Sequence, residues 1–156
     1  MSRWTCEAVS IEDLNKAMAI NLNGPLLCAR AVLPSMRERG GGRIVNQVSA
    51  AAYPSATVYG ITKLALVGLT TTLAKQWGKD NITCNAIAPG VITSDAGKSV
   101  VPDDSPYMPT LAAACAIRPR GAPEDLVGAA LLLCSEAGSW MTGQVINVDG
   151  GWVMRP

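Results

Sequence analysis

The fold is decided by residues 49–63, which read SAAAYPSATVYGITK. The residues before them, 43–48, form a short, apolar and β-branched run after three glycines, which predicts a buried strand. After Tyr59 the apolar residues recur three and four positions apart as far as Trp77, which predicts a helix. Ser49 is therefore expected at the carboxyl end of a strand, where open α/β sheets bind their ligands.

Tyr59 and Lys63 are four residues apart on the predicted helix, so their side chains share one face. Lowering the pKa of a phenol from about 10 to ~7 takes about 4 kcal/mol. One ammonium ~4 Å away, at an effective dielectric constant of ~20, supplies roughly that amount. Lys63 can thus make Tyr59 a proton-transfer group, and the Ser49 hydroxyl can hydrogen-bond a carbonyl or hydroxyl. For an isolated Tyr-x-x-x-Lys, the alternative that both are ordinary helix residues stays open.

Length and composition restrict the class of protein. A chain of 156 residues corresponds to one domain, residues 1–156, and can bury about two-thirds of its unfolded surface. Its 49% hydrophobic and 16% charged residues are typical of a soluble globular protein. The net charge of +1, without a basic run, indicates neither nucleic acid nor an anionic membrane as partner. The longest apolar run, residues 126–134, is far too short to cross a bilayer.

The five cysteines are scattered and contain no Cys-x-x-Cys pair. They are expected to be reduced and mostly buried thiols of a cytoplasmic protein. No signal peptide is visible, because acidic residues interrupt the start of the chain. Since the sequence has no histidine and no clustered cysteine or acidic ligands, no metal centre is expected.

A long helix is predicted from Ser10, a capping hydroxyl, to the glycines at 40–42, after a loose leading segment at residues 1–9. Pro25 interrupts this helix and has no N–H to donate to the Asn21 carbonyl. We therefore predict a kink between these two residues and a carbonyl left free. The kink can also exist without any catalytic role, and Asn23 is a weaker candidate for the same position.

The remaining segments complete a three-stranded α/β pattern. A strand is predicted over 82–87, stopped by Pro89-Gly90, and a last strand over 144–148. Residues 94–117 are polar and broken by prolines, which is typical of a mobile lid over a substrate, although its apolar side chains can simply pack. A helix opens at Pro123, followed by acids that favour a helix N-terminus.

These segments together resemble the short-chain dehydrogenase/reductase family from about Ser10 to Val153. The resemblance rests on six motifs in the family's order: NLNG at 21–24, GRIVNQVS at 42–49, YGITK at 59–63, NAIAPGVIT at 85–93, RGAPED at 120–125, and TGQ at 142–144 with VDGG at 148–151. Two departures are Val48, where many members have a serine, and a Ser-to-Tyr gap that is shorter than the family's commonest spacing.

The resemblance implies a Rossmann-like doubly wound parallel sheet and an NAD(P)-dependent oxidoreductase that interconverts a secondary alcohol and a ketone by hydride transfer. It implies that Tyr59 is the general acid/base, that Lys63 tunes it and holds the nicotinamide ribose, and that Ser49 orients the substrate carbonyl together with Tyr59. The Asn21 main-chain carbonyl would hold a water of the proton relay. The nicotinamide carboxamide would be contacted by the loop Pro89, Gly90, Val91, Ile92 and Thr93, although Pro-Gly is equally compatible with a plain turn.

The resemblance covers only the carboxyl-terminal three-fifths of a member. The Gly-rich turn that binds the pyrophosphate is not in the sequence, and neither is an Asn-Asn-Ala-Gly segment. Without about three charge-assisted hydrogen bonds of ~1.5–3 kcal/mol each, binding of NAD or NADP would weaken at least ~10³-fold. A second hypothesis is a truncated, catalytically silent chain that acts only as an oligomerisation partner. In either case a homo-oligomer, dimer or tetramer, is expected from the resemblance.

Overall fold

A computed structural model describes residues 5–54 and 57–154, and within them three parallel strands form one open sheet. The strands are β1 (Gly42–Gln47), β2 (Ile82–Pro89) and β3 (Val145–Val148), in the order β1-β2-β3. In the register, Gly42 lies opposite Ile82 and Ala86 opposite Val145. The predicted incomplete, Rossmann-like parallel sheet with three strands is confirmed.

Helices connect and cover these strands. The described helices are α1 (Ile11–Met18), α2 (Gly24–Glu38), α3 (Val58–Trp77), α4 (Asp95–Val100), α5 (Met108–Ala114) and α6 (Val127–Cys134). A π-helical turn, Ala19–Asn23, joins α1 to α2. Ser10 caps α1 as predicted, because its side chain accepts a hydrogen bond from the Asp13 N–H at 3.0 Å.

The core lies between α2, α3 and one face of the sheet. All eight residues of β2 are buried, and its even-numbered residues pack toward the helices. One cluster joins Ala29, Leu73, Ala74, Trp77, Ile82 and Cys84, and a second joins Val48, Leu66, Ala86 and Ala88. Because residues alternate between the two faces of a strand, α6, which also contacts β1 and β2, covers the other face.

The predicted lid, residues 94–117, contains two short helices, α4 and α5, separated by a turn. Arg120 holds this segment in place: its guanidinium lies 3.2 Å from the Asp103 carboxylate and 3.1 Å from the Pro102 carbonyl oxygen. The helix predicted from Pro123 begins as a 3₁₀ turn, Pro123–Leu126, and becomes α-helical only in α6.

The cysteines are free, but the expectation that most are buried is wrong. Only Cys84 is fully buried, while Cys6, Cys28 and Cys134 are exposed and Cys115 is intermediate. Cys6 lies in the leading turn, and Cys28 and Cys134 lie at exposed positions of α2 and α6. Among the described residues, the helices are too short or too polar to cross a membrane. Of the predicted leading segment, residues 1–4 lie outside the described part, and Ala8 donates to the Thr5 carbonyl in a turn.

Candidate active site

Ser49 lies where the chain leaves β1. The Val48 N–H donates to the Ile87 carbonyl at 2.9 Å, so the pairing with β2 continues to the residue before Ser49. Ser49 then caps a 3₁₀ turn, Ala50–Ala52, by accepting the Ala51 N–H at 3.2 Å. A hydroxyl has one proton and two lone pairs. Since Ser49 uses a lone pair on the backbone, its own proton is available to a neighbouring oxygen.

Tyr59 and Lys63 extend from the first two turns of α3 toward the same place. Tyr59 hydrogen-bonds the Ser49 side chain. Lys63 Nζ donates to the Gln47 carbonyl, the last of β1, at 3.0 Å and lies 5.7 Å from the centroid of the Tyr59 ring. The structure therefore brings Ser49, Tyr59 and Lys63 together at the carboxyl end of β1.

The electrostatics of this cluster differ from the sequence-based expectation. Burial raises the pKa of Tyr59, and the hydrogen bond from Ser49 opposes that rise. Burial also lowers the pKa of Lys63. The expected net lowering at Tyr59 is absent, because desolvation of the phenol is the largest effect on its pKa, while the Lys63 ammonium donates to the Gln47 carbonyl. The phenol is thus held in its protonated form, which is the form that donates a proton.

Asn21 reaches the same helical turn through its side chain. Its Nδ2 donates to Thr62 Oγ1 at 2.9 Å, and Thr62 Oγ1 donates to the Tyr59 carbonyl at 2.8 Å. Asn21 belongs to the π-helical turn, in which the Gly24 N–H bonds the Ala19 carbonyl five residues back. Neither Thr62 nor Gln47 was predicted from the sequence as a site residue. The only signal for Thr62 was its place between Tyr59 and Lys63, three residues after the tyrosine.

The predicted nicotinamide loop, Pro89 to Thr93, begins at the last residue of β2, at the same edge of the sheet. The Gly90 N–H bonds the Val148 carbonyl at 3.0 Å, and the Thr93 N–H bonds the Gly121 carbonyl at 2.8 Å. A Cβ at residue 90 would lie 2.8 Å from the Asp149 Cα, so this close approach requires glycine. Two anchored ends thus hold Val91 and Ile92 in a fixed loop, and Thr93 is exposed at its end.

These residues fit one end of a nicotinamide cofactor. The loop and the Tyr59–Lys63 pair follow adjacent parallel strands, at the edge where such sheets bind dinucleotides. The pyrophosphate end has no counterpart in the sequence, because a Gly-rich turn between a strand and a helix is missing.

Comparison with known proteins agrees with this geometry. The model of a family described as enoyl-(acyl carrier protein) reductase matches residues 3–153. An uncharacterized oxidoreductase of Mycobacterium tuberculosis (strain H37Rv) is 43% identical over 147 residues, which are 94% of this chain and 58% of that protein. The human dehydrogenase/reductase SDR family member 4 is 38% identical over 150 residues, which are 94% of this chain and 54% of that protein.

A solved structure has the same fold over this chain. The crystal structure of a putative NAD(P)-dependent gluconate 5-dehydrogenase from Beutenbergia cavernae, with bound NADP at low occupancy, superposes with a TM-score of 0.88 at 34% identity. The superposition covers 97% of this chain and 62% of that one. The chain spans little more than half the length of the curated relatives that it matches. Because the family model matches nearly the whole sequence and the fold agrees, the chain belongs to the short-chain dehydrogenase/reductase family.

Proposed function

We propose that this chain carries the proton-transfer part of an NAD(P)-dependent oxidoreductase that interconverts a secondary alcohol and a ketone. The observation that supports it most is the hydrogen-bonded Ser49–Tyr59 pair with Lys63 beside it, at the carboxyl end of β1. The oxidoreductase and dehydrogenase names of the relatives agree with this class of reaction. The substrate would be a small molecule with a carbonyl or hydroxyl group.

In the direction of reduction, the substrate oxygen would lie within hydrogen-bonding distance of both hydroxyls. When the substrate binds, the Ser49 proton turns from the Tyr59 oxygen to the substrate oxygen and orients it, while a Ser49 lone pair keeps the Ala51 N–H. Tyr59, kept protonated by burial, transfers its proton to the oxygen as the carbonyl becomes an alkoxide. The Lys63 ammonium favours the phenolate that remains. In the oxidative direction the same groups act in reverse.

A bound nicotinamide cofactor supplies the hydride, or accepts it in the reverse direction. Lys63 and Tyr59 would hold its ribose, and the loop Pro89, Gly90, Val91, Ile92 and Thr93 its carboxamide. We also propose that the Asn21 main-chain carbonyl holds a water that links Lys63 to solvent. Pro25 supports this role, because it has no N–H to occupy that carbonyl.

The test is turnover in an extended chain, to which a Gly-rich strand-turn-helix segment is joined upstream. We expect oxidation of NAD(P)H with a panel of ketones, and its loss in Tyr59→Phe. Tyr53→Phe is the matched control, since it removes a phenolic hydroxyl six positions before Tyr59. Turnover that survives Tyr59→Phe while Tyr53→Phe is normal would refute the acid/base role.

A second candidate function is that of an oligomerisation partner, with residues 1–156 acting as one carboxyl-terminal domain of the family's fold. The observation that favours it is a set of exposed apolar side chains on the helices and the π-helical turn. They are Ile11, Ile20, Leu27, Val32, Ile61 and Leu64. Exposed apolar surface, where it is large, marks contact sites between proteins. An extended chain that binds cofactor but never turns over would favour this second function.

A further inference from the structure

We propose that the Asn21 side chain, acting through Thr62, positions Tyr59 for its contact with Ser49. This inference rests on the proposed acid/base role of Tyr59, and it is separate from the water-holding role of the Asn21 carbonyl. Two hydrogen bonds carry it: Asn21 Nδ2 to Thr62 Oγ1 at 2.9 Å, and Thr62 Oγ1 to the Tyr59 carbonyl at 2.8 Å.

The Thr62 hydroxyl is fully committed to this connection. Thr62 is completely buried, with 0% of its surface exposed, so water cannot replace a lost partner. Its single proton goes to the Tyr59 carbonyl, and a lone pair receives the Asn21 amide. The amide therefore fixes which way the hydroxyl points, and the hydroxyl fixes the backbone of the turn that carries Tyr59.

The turn needs such support because its own cap is weak. α3 begins at Val58, and its N-cap residue, Thr57, makes no side-chain hydrogen bond to the helix. Helix ends without a cap fray more easily than the interior. Tyr59 is only the second residue of α3, and its hydroxyl must stay against Ser49. Thr62 and Asn21 hold this first turn from its buried side, across the packing of α3 on the π-helical turn.

The experiment measures the pKa of Tyr59 in the chain itself, by the ultraviolet difference absorbance of tyrosinate. A Tyr53→Phe/Tyr107→Phe background leaves Tyr59 as the single tyrosine of the three. Thr62→Val keeps the shape and removes the hydroxyl, so we expect the pKa to rise by about half a unit to one unit as the Ser49 hydrogen bond weakens. Thr62→Ser should restore the original value. Asn21→Leu should raise the pKa less, because the Thr62 hydroxyl remains.

The matched control is Thr70→Val. Thr70 is equally buried on α3, donates to the Leu66 carbonyl at 2.8 Å and accepts the Asn46 amide at 2.9 Å. It repeats the chemistry of Thr62 two turns away, so its loss should lower stability without moving the pKa of Tyr59. If Thr62→Val fails to fold, the pKa of Tyr59 in Asn21→Leu tests the positioning role instead. Asn23→Leu, on the same π-helical turn, is then the control and should leave that pKa unchanged.

Ser49→Ala separates this inference from the proposed function. We expect it to raise the pKa of Tyr59, and Thr62→Val added to it should cause no further rise, because both act on one hydrogen bond. If Ser49→Ala shifts the pKa but Thr62→Val and Asn21→Leu do not, the positioning role is wrong and the Ser49–Tyr59 pair stands. If Ser49→Ala causes no shift, the pair itself is wrong, and the positioning role falls with it.

Discussion

At the scale of single residues, the site is governed by which groups are removed from water. Tyr59 is still 38% exposed, yet its hydroxyl end is desolvated enough for burial to outweigh the Ser49 hydrogen bond. Lys63 loses solvation too, and its ammonium is satisfied by a carbonyl of β1. Under the proposed function, a protonated phenol beside a donating serine would suit the reductive direction.

Burial has a measurable consequence at Cys84, which is fully buried in β2. It raises the pKa of this thiol from 9.0 to about 12. Between these values the unfolded chain loses the proton and the folded chain keeps it, so stability is complete below pH 9 and falls as the pH rises.

We therefore compare the free energy of unfolding in urea at about pH 8 and about pH 10, in the parent and in Cys84→Ala. Over this range we expect it to fall by about 1.4 kcal/mol more in the parent than in the variant. The exposed Cys28 provides a control, since Cys28→Ala should keep the parent's pH dependence. An equal pH dependence in Cys84→Ala and the parent would show that this thiol ionises freely in the folded protein.

The sequence predicted which side chains meet, but not how each is bonded. That Ser49, Tyr59 and Lys63 lie together follows from local spacing. Ser49 comes at the end of a strand, and residues four apart on a helix have side chains on the same face. The Asn21–Thr62 bond joins residues 41 positions apart, and the Lys63–Gln47 bond joins residues 16 apart. Such partners depend on how elements pack, which spacing alone does not encode.

At the scale of elements, the first predicted helix is interrupted by the π-helical turn Ala19–Asn23, which ends two residues before Pro25 and is followed directly by α2. The kink between Asn21 and Pro25 and the free Asn21 carbonyl stay predictions. A π-helical turn inserts one extra residue into a helix and is frequent at functional sites. Here it contains the asparagine that reaches Thr62.

Pro25→Ala tests whether the Asn21 carbonyl is available. The new N–H can donate to that carbonyl, so we expect a protected amide at residue 25 in hydrogen exchange and a higher midpoint of thermal unfolding. Pro34→Ala is the control, because Pro34 lies inside the regular part of α2. Rapid exchange of the residue 25 amide in Pro25→Ala, together with a protected residue 34 amide in Pro34→Ala, would show that another group occupies the Asn21 carbonyl.

Long periodic elements were predicted well, and short ones were not. The predicted α3 ends at Trp77 as observed, and each predicted strand agrees with the structure to within two residues. α4 and α5 were missed because helices of six and seven residues give little periodic signal. Their polar, proline-containing segment suggested a loop instead.

At the scale of the whole molecule, the sheet is open at β1. Within the described part of the chain β1 pairs with β2 alone, as expected for a sheet that lacks the family's preceding strands. An exposed strand edge next to apolar helix surface favours association.

We predict self-association through the faces of α2 and α3, measured by light scattering at micromolar concentration. Leu27, on α2, is 59% exposed and Ile61, on α3, is 47% exposed. Leu27→Arg and Ile61→Arg should each reduce the mean mass by placing a charge in an apolar contact. Ile117, 77% exposed but outside the helices, serves as the control, since Ile117→Arg should leave the mass unchanged. A clean monomer of the parent chain would contradict the prediction.

The central claim is that this chain holds the reacting end of a nicotinamide site without the end that binds the rest of the cofactor. Binding energy from the remote part of a cofactor normally offsets the cost of ordering its reacting part. Calorimetric titration of NADH and NADPH into the chain tests this claim directly. We predict a dissociation constant of about one millimolar or weaker, with tight binding only after a Gly-rich strand-turn-helix is joined upstream. Tight binding by the 156-residue chain alone would contradict the account.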